Sequence, residues 1–340
     1  MTQHTTSPEP SERVRTEAPP SEATRASRTA TVIVPTVTPA RLSTLMRSLG
    51  RSGEGFETIV VDNGTGAEEL NRAAAAMEGA HVLRLDSNLG YSKAVNQAAR
   101  IAQGEVLVLL NDDSVVEPGY VSAITTALDP TAGVVMAAGV MRDAVSPEMI
   151  ESAGIELDWT LLAFDYLNGE HIEILDGGVA DPVGPSGSNA AYWRETFLEV
   201  GGFDERIFAY LEDVDLALRL RRDGGSCRLA RTALGVHEHS ATLGSGSRRK
   251  DYLMGWGRGY LLRKWSVITP RRLPGIAARE VYLGFGQALM DRNLGGLRGR
   301  FDGLRAGRRT ERYPGPLPDP PKLLETLQRR WRRRSRLRSR

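Results

Sequence analysis

Short runs of hydrophobic residues alternate with helical stripes along the first part of this chain. The runs at 29–35, 57–61, 81–85 and 105–110 are rich in β-branched and aliphatic residues, which predicts strands, and the run at 29–35 is typical of a strand buried on both faces. Between the runs, apolar residues recur at spacings of three and four, as in amphipathic helices. Strands and helices that alternate with short loops predict an α/β fold, with a Rossmann-like, mostly parallel sheet flanked by helices.

The pattern is less regular in the second part of the chain. Residues 133–140 predict another buried strand, and 226–230 and 233–237 predict two short ones. A helix is predicted over 248–265, whereas 141–182 contains no regular pattern. The fold class therefore rests mainly on the first part.

Polar residues follow each of the first four predicted strands. In a parallel sheet the carboxyl ends of the strands lie along one edge, where ligands bind. We therefore expect a site at that edge, formed by Pro35, Thr36, Asp62, Asn63, Asn88, Asn111, Asp112 and Asp113.

Two common phosphate-binding loops are excluded at this edge. The first predicted strand is followed by PTVTPA rather than G-x-G-x-x-G, and no G-x-x-x-x-G-K-[ST] motif occurs in the chain. Carboxylates such as Asp112 and Asp113 directly after a buried strand are costly unless they are paired or bind a cation. A metal-assisted site is one interpretation, and a solvated Asn-Asp-Asp-Ser turn is the other.

A second concentration of polar residues lies at 201–225, with the sequence GGFDERIFAYLEDVDLALRLRRDGG. Apolar residues at spacings of three and four predict a helix with one buried face that begins near Glu212. The helix dipole favours acidic residues in the first turn, which is sufficient to explain Asp215. The aromatic residues upstream predict a partly desolvated setting for Glu212 and Asp213, in which a carboxylate can act as a general base.

Composition adds information mainly at the two ends of the chain. The 340 residues, 41% hydrophobic and 25% charged, are typical of a globular protein with one large or two ordinary domains. Residues 1–28 contain almost no apolar side chains, which predicts a disordered arm. Eight of the last twelve residues are arginine, and 314–321 is a proline-rich linker. This tail is compatible with the anionic surface of a membrane, with nucleic acid or a purely solubilising role as alternatives.

The remaining signals concern the cellular compartment. The single cysteine, Cys227, excludes an internal disulfide and fits a reducing compartment. We find neither a signal-peptide pattern nor an apolar run long enough to span a membrane. The expectation is a cytoplasmic protein, at the inner face of the cell membrane if the tail binds lipid.

The stretch GGFDERIFAYLEDVDLALRL resembles the acceptor-side signature of family 2 glycosyltransferases, particularly their bacterial rhamnosyltransferase-like branch. Three further motifs match the family: Val60-Val61-Asp62-Asn63, Asn88-Leu89-Gly90 and Leu109-Leu110-Asn111-Asp112-Asp113. The resemblance covers about 29–265 and implies a GT-A fold. It leaves 266–340 as a C-terminal extension, which is helical, contains prolines and is rich in arginine.

The resemblance also implies a role for individual residues. Asp213 would accept the proton of the acceptor hydroxyl with Glu212 beside it, while Asp113 and His237 would hold Mg²⁺ or Mn²⁺. His239 would support the metal ligands or simply be exposed. The Gly/Ser-rich sequence of 240–246 is typical of a mobile loop and favours a lid over the donor. The donor-binding set would be Pro35, Thr36, Asp62, Asn63, Asn88, Gly90, Lys93, Asn96, Asn111, Asp112, Gly187 and Ser188.

Several of these assignments have structural alternatives. Asn111 replaces the first carboxylate of the family's D-x-D motif. Lys93 could equally be a solvated helix residue. The small residues around Gly187 and Ser188 could serve only tight strand packing.

The implied reaction is an inverting transfer of a sugar from a nucleotide-diphosphate donor to a hydroxyl. dTDP-rhamnose, transferred to a lipid-linked or cell-envelope glycan, is the expected pair, and no nucleic-acid partner is expected. A non-catalytic sugar-nucleotide-binding or scaffold protein is the main alternative. A glycoside hydrolase would leave the polar strand ends without a role, and a nucleotidyltransferase would need a glycine-rich first loop that is missing here.

Overall fold

The computed structural model describes residues 29–52, 55–75, 77, 80–237 and 247–313. Its strands are β1 (Ala30–Thr36), β2 (Phe56–Asn63), β3 (Ala80–Leu85), β4 (Val106–Leu110), β5 (Ser114–Val116), β6 (Val134–Asp143), β7 (Ile150–Ser152), β8 (Ile155–Leu157), β9 (Ala163–Asp165), β10 (Asn189–Trp193) and β11 (Ser226–His237). Its α-helices are α1 (Pro39–Gly50), α2 (Glu69–Ala75), α3 (Tyr91–Ile101), α4 (Tyr120–Thr126), α5 (Arg194–Glu199), α6 (Glu212–Arg222), α7 (Arg248–Lys264), α8 (Leu273–Asp291) and α9 (Gly295–Ala306).

Within these residues a nine-stranded sheet has the order β3-β2-β1-β4-β10-β6-β11-β5, with β7 paired to β6. Strands β1 to β4 are parallel to one another, and β11 is parallel to β6. Strand β10 runs antiparallel between β4 and β6, and β5 runs antiparallel to β11. The predicted α/β class with a mostly parallel, helix-flanked sheet is confirmed, and the antiparallel pairs all involve residues beyond β4.

Alternation along each central strand divides the core between the two faces of the sheet. Ile33 contributes to one buried cluster with residues of α3 and α6, whereas Val32 and Val34 contribute to another with residues of α1, α2 and α4. Successive side chains of a strand point to opposite faces, so a run of apolar residues requires helices on both sides. The two predicted strands at 226–230 and 233–237 form the single strand β11, whose register shifts between Leu229 and Leu234.

The strand register brings the polar strand ends to one edge of the sheet. Thr36 at the end of β1 lies opposite Asp62 near the end of β2, and β4 ends immediately before Asn111. On the other side, β5 pairs with β11 so that Ser114 lies opposite His237. His237 is therefore adjacent to the turn that carries Asp113, although 124 positions separate them in the sequence.

Helices α7 and α9 pack very closely through glycines. A Cβ atom on Gly259 would lie 2.1 Å from the carbonyl oxygen of Arg300, and one on Gly299 would lie 2.1 Å from that of Tyr252. Arg258 of α7 donates to Glu280 of α8, which also pairs with Arg300 of α9 at 2.9 Å. These contacts join the three C-terminal helices to one another.

Some predictions concern residues outside the described part of the chain: the arm at 1–28, the linker at 314–321 and the arginine-rich tail. The predicted domain boundaries stay predictions. No helix among the described residues is long and apolar enough to cross a membrane.

The glycine contact between α7 and α9 leads to a stability prediction. A Cβ on Gly303 would lie 2.0 Å from the carbonyl oxygen of Trp256, so Gly303→Ala must push the two helices apart. We expect the free energy of unfolding to fall by about 1–3 kcal/mol in a urea titration. Gly50→Ala, at a helical position with no atom within 4 Å of the added Cβ, is the control and should be neutral or slightly stabilising. Equal stability of the two variants would contradict the close packing.

Candidate active site

A cleft of about 560 Å³ opens at the carboxyl edge of the sheet. Most of the predicted site residues line it. They are Pro35, Thr36, Asn63, Asn88, Gly90, Asn111, Asp112, Asp113, Gly187, Ser188, Glu212, Asp213 and His237.

One wall of the cleft holds a carboxylate–histidine pair. Oδ1 of Asp113 lies 2.9 Å from Nε2 of His237, and Oε1 of Glu151 lies 3.2 Å from Nδ1 of the same ring. Burial alone would lower the pKa of His237, but the hydrogen bonds to Asp113 and Glu151 raise it to about 10. Asn111 also approaches the ring, with its Nδ2 3.5 Å from Nε2.

Glu151 belongs to this wall but was not predicted from the sequence. It lies on β7, within the segment that showed no regular pattern, and the pairing of β7 with β6 brings it to His237. A carboxylate that binds one ring nitrogen fixes the orientation of an imidazole, and here it leaves Nε2 to Asp113. Only the tertiary structure could reveal this contact.

The pair is compatible with a bound divalent cation. Asp113 would supply an oxygen and His237 a nitrogen, because an ion bound to both would displace the proton that the ring holds against Asp113. Within the described ranges no group of three or more His, Cys, Asp or Glu side chains has the arrangement of a metal site. Mg²⁺ in phosphate-handling sites commonly takes one or two protein ligands, and substrate oxygens and water complete its coordination.

Asp112 is bound differently from its neighbour. Its Oδ2 accepts a 2.5 Å hydrogen bond from the hydroxyl of Thr36 at the end of β1. Burial raises the pKa of Asp112 to about 6, although the bond from Thr36 acts in the opposite direction. The bond ties the end of β1 to the turn after β4, so these two residues form the floor of the cleft.

The opposite wall begins with an abrupt turn into α6. Tyr210 and Leu211 both adopt positive φ angles, 70° and 71°, and the helix starts at the next residue. This geometry places Glu212 and Asp213 on the cleft side of the first turn. The predicted start of the helix near Glu212 is confirmed.

Asp213 is held by backbone amides rather than by cations. Its Oδ2 accepts from the amide of Gly187 at 3.0 Å, and its Oδ1 accepts from the amide of Val214 at 2.8 Å. Burial raises the pKa of Asp213, and these two bonds counteract part of the rise. Burial and the neighbouring Asp213 together raise the pKa of Glu212 to about 8.

Tyr91 was also missed by the sequence reasoning. Its hydroxyl donates to the carbonyl of Gly187, so the small-residue segment is fixed between Tyr91 and Asp213. A Cβ on Gly187 would lie 3.6 Å from Oε1 of Glu212 and 3.7 Å from Oδ2 of Asp213. The absence of a side chain keeps this part of the cleft open.

Three predicted donor-binding residues are not brought to the cleft. Asp62 is fully buried and binds Arg84 at 2.7 Å and the hydroxyl of Thr65 at 2.6 Å. Asn96 donates to the carbonyl of Phe203 and accepts from its amide, each at 2.9 Å. Both side chains are thus engaged in holding local turns.

Lys93 is the third of these residues. It lies on α3, is half-buried and does not line the cleft. Residues not predicted as site residues also line the cleft, among them Phe208 and Tyr210 before α6, and Arg249 and Lys250 at the start of α7. His239 and the predicted lid at 240–246 lie outside the described residues.

The fold and the cleft define a protein class. A mannosyltransferase from Pyrobaculum calidifontis, solved with GDP-mannose and Mn²⁺, superimposes with a TM-score of 0.50 at 19% identity, over 85% of this chain and 76% of that one. The fold is that of the GT-A glycosyltransferases.

The sequence then identifies the family. Residues 31–199, about half of the chain, match the family model of glycosyl transferase family 2. The chain therefore belongs to glycosyl transferase family 2, and the resemblance noted in its motifs is confirmed.

Two characterised relatives act on different sugars. An N-acetylglucosaminyl-diphospho-decaprenol L-rhamnosyltransferase of Mycobacterium tuberculosis is 30% identical over 49% of this chain. A glucosyl-dolichyl phosphate glucuronosyltransferase of Haloferax volcanii is 27% identical over 46% of it. The matches span 61% and 48% of these relatives' own lengths.

The buried charge of Glu212 leads to a pH-dependent stability prediction. In the folded protein the pKa of Glu212 is raised to about 8, whereas in the unfolded chain it is 4.5. As the pH rises from 4.5 to 8, the unfolded chain loses this proton more readily than the folded chain, so the free energy of unfolding falls. Glu212→Gln should therefore raise the thermal midpoint at pH 9, by the equivalent of at least ~1 kcal/mol, and have little effect at pH 4. The exposed Glu199→Gln is the control and should change nothing. If Glu212→Gln raised the thermal midpoint most at acidic pH, the raised pKa of Glu212 would be contradicted.

Proposed function

We propose that this protein transfers a sugar, with inversion, from a nucleotide-diphosphate donor to a hydroxyl of a lipid-linked or cell-envelope glycan. The observation that carries the proposal is that Asp213 lines the same cleft as the Asp113–His237 pair. One wall thus offers a proton acceptor, and the other offers ligands for a cation and a diphosphate. A single displacement at an anomeric carbon needs both a proton acceptor for the attacking hydroxyl and groups that bind the leaving diphosphate.

Asp213 would act as the base. The two amide hydrogen bonds fix the orientation of its carboxylate, and its raised pKa increases its affinity for a proton. With a pKa of about 8, Glu212 keeps its proton at neutral pH. Asp213, whose carboxylate is oriented by the two amide hydrogen bonds, takes the proton of the acceptor hydroxyl as that oxygen attacks the anomeric carbon.

The diphosphate leaves as the new glycosidic bond forms, so no covalent enzyme intermediate is needed. Asp113 and His237 would hold Mg²⁺ or Mn²⁺, which neutralises charge on the leaving diphosphate when bound. Glu151 holds the ring of His237. Asn88 and Ser188 supply further polar groups to the cleft for the donor, whereas the amide of Asn63 holds the backbone of Leu89 and Gly90 at the cleft edge.

The relatives support the acceptor class better than the donor sugar. Their names describe sugars carried on decaprenyl diphosphate and dolichyl phosphate, but the transferred groups are rhamnose and glucuronic acid. We therefore propose a lipid-linked acceptor, with dTDP-rhamnose as the donor, in the synthesis of cell-envelope polysaccharide. Such a reaction would occur in the cytoplasm, at the inner face of the membrane.

A non-catalytic sugar-nucleotide-binding protein is the second candidate. It is favoured by Asn111, which stands where the family's D-x-D motif begins with a carboxylate. The same experiments distinguish the two functions, since both predict nucleotide binding but only one predicts turnover.

The assignment of the base is tested by Asp213→Asn. We expect kcat to fall by about 10²–10⁴-fold because the proton acceptor is lost. Nucleotide affinity should be unchanged, because the amide side chain keeps the shape of the cleft. Asp223→Asn, at an exposed position of the same acidic stretch, is the control. Turnover retained in Asp213→Asn would exclude Asp213 as the base.

The donor site is tested by a thermal-shift panel of UDP, dTDP and GDP, each with and without Mn²⁺. A nucleotide in hundredfold excess over its dissociation constant should stabilise the folded protein by roughly 2.7 kcal/mol. Asp113→Asn should remove the Mn²⁺-dependent part of that shift, and the exposed Asp176→Asn should retain it. A folded protein that responds to none of the nucleotides would overturn the proposed function.

A further inference from the structure

The outer surface of α8 and α9 exposes large apolar side chains. Tyr282 is 78% exposed, Val281 68%, Leu294 67% and Phe301 66%. Most of the exposed large hydrophobic residues in the described part of the chain lie in α8, α9 and the turn between them. Ordinary surfaces carry such residues singly, whereas a group of them marks a contact site.

Helical spacing places these residues together. One stripe of α9 carries three of these residues, because they are spaced three and four positions apart: Leu294, directly before the helix, and Leu297 and Phe301 within it. Leu297 contacts α8, since a Cβ on Gly284 would lie 2.4 Å from its Cδ2. Val281 lies one turn before Gly284 on α8. We call the surface formed by Val281, Tyr282, Leu294, Leu297 and Phe301 the apolar patch.

Positive charge surrounds the apolar patch. Residues 266–313 contain ten arginines and four acidic residues. Glu280 is engaged by Arg258 and Arg300, and Asp302 by the hydroxyl of Tyr252 at 3.1 Å. The exposed arginines of this region include Arg292, Arg298, Arg305, Arg308 and Arg309.

We propose that the apolar patch and its arginines form a docking surface for an anionic lipid bilayer. Apolar side chains that enter the headgroup region, with basic side chains around them, are the features of helices that lie on a membrane. The chain beyond residue 313 continues this charge, because eight of its last twelve residues are arginine.

Two other occupants fit the surface less well. A second copy of this chain would bring the same positive charge to the contact, which opposes association. Nucleic acid would use the arginines but leave the exposed aliphatic residues of the apolar patch without a partner.

The position of the surface gives docking a consequence for the reaction. Arg249, Lys250, Leu253 and Met254 of α7 line the cleft, while the glycines of the same helix contact α9. A bilayer on α8 and α9 would therefore lie one helix away from the cleft. The inference goes beyond the proposed function, and it rests on that function only for the statement that an acceptor held in the bilayer can reach Asp213.

The test measures co-sedimentation of the full chain with phosphatidylcholine vesicles that contain or lack phosphatidylglycerol, without donor or acceptor. We expect binding that requires phosphatidylglycerol. Combined Tyr282→Ser, Leu294→Ser and Phe301→Ser should weaken it at least about tenfold, since these side chains supply the apolar contact. Ile101→Ser with Val145→Ser, 49% and 89% exposed in the native chain, is the matched control and should bind as the native chain does.

Three outcomes would overturn the inference. Unchanged binding in the triple variant would assign the contact to the arginine-rich tail alone. Absence of binding by the native chain would exclude a lipid surface. A native dimer that the triple variant dissociates, seen by analytical ultracentrifugation, would assign the apolar patch to a second copy. Transfer to a water-soluble acceptor should be unchanged in the triple variant, and its absence in the native chain would refute the proposed function but not the docking surface.

Discussion

A buried ion network beneath the acidic stretch supports the wall of the cleft that carries Glu212 and Asp213. Asp215 is fully buried and accepts from Arg219 at 2.9 Å, Lys264 at 2.7 Å and Trp265 at 3.1 Å. Lys264 also pairs with Asp204 at 2.8 Å. The network thereby joins α6, the end of α7 and the loop before α6. Loss of one partner would leave an uncompensated buried charge, which typically costs about 3–5 kcal/mol.

The same helix thus carries acidic residues in opposite environments. Asp215 is paired with two cationic side chains, Arg219 and Lys264. In the same turn, Asp213 accepts from backbone amides, and Glu212 lies beside the charge of Asp213. The helix dipole favours a negative charge at Glu212, Asp213 and Asp215 alike, because all three lie in the first turn. The groups that surround each carboxylate therefore determine the difference between them. Asp215 anchors the helix, and that anchoring allows two carboxyl groups with raised pKa values to be held at the cleft.

Local pattern predicted β1 to β4, β6, β11 and the edge at which they end, because apolar runs and short loops leave few alternatives. It did not predict β10, which lies in the middle of the sheet, or the short strands β5, β7, β8 and β9. It did not predict Glu151 or Tyr91, which reach the cleft only through strand pairing and a contact with Gly187. It also placed Asp62 and Asn96 with the donor. Asp62 lies near the end of β2 and Asn96 lies on α3, but Arg84 and the Phe203 backbone engage their polar atoms. Such partners are distant in sequence and have no local signal.

The residues that match the family model form only part of the cleft. Residues 31–199 include the strand ends and Asp113, but Asp213, His237 and the ion network of Asp215 all lie beyond them. The sheet edge within the matched residues therefore supplies one half of the cleft, and the segment held by Lys264 supplies the other. Because α7 both contributes Lys264 and lines the cleft with Arg249 and Lys250, the wall that carries Asp213 and the C-terminal helices form one packed unit. The position of Asp213 at the cleft therefore depends on this unit and not on the sheet edge alone.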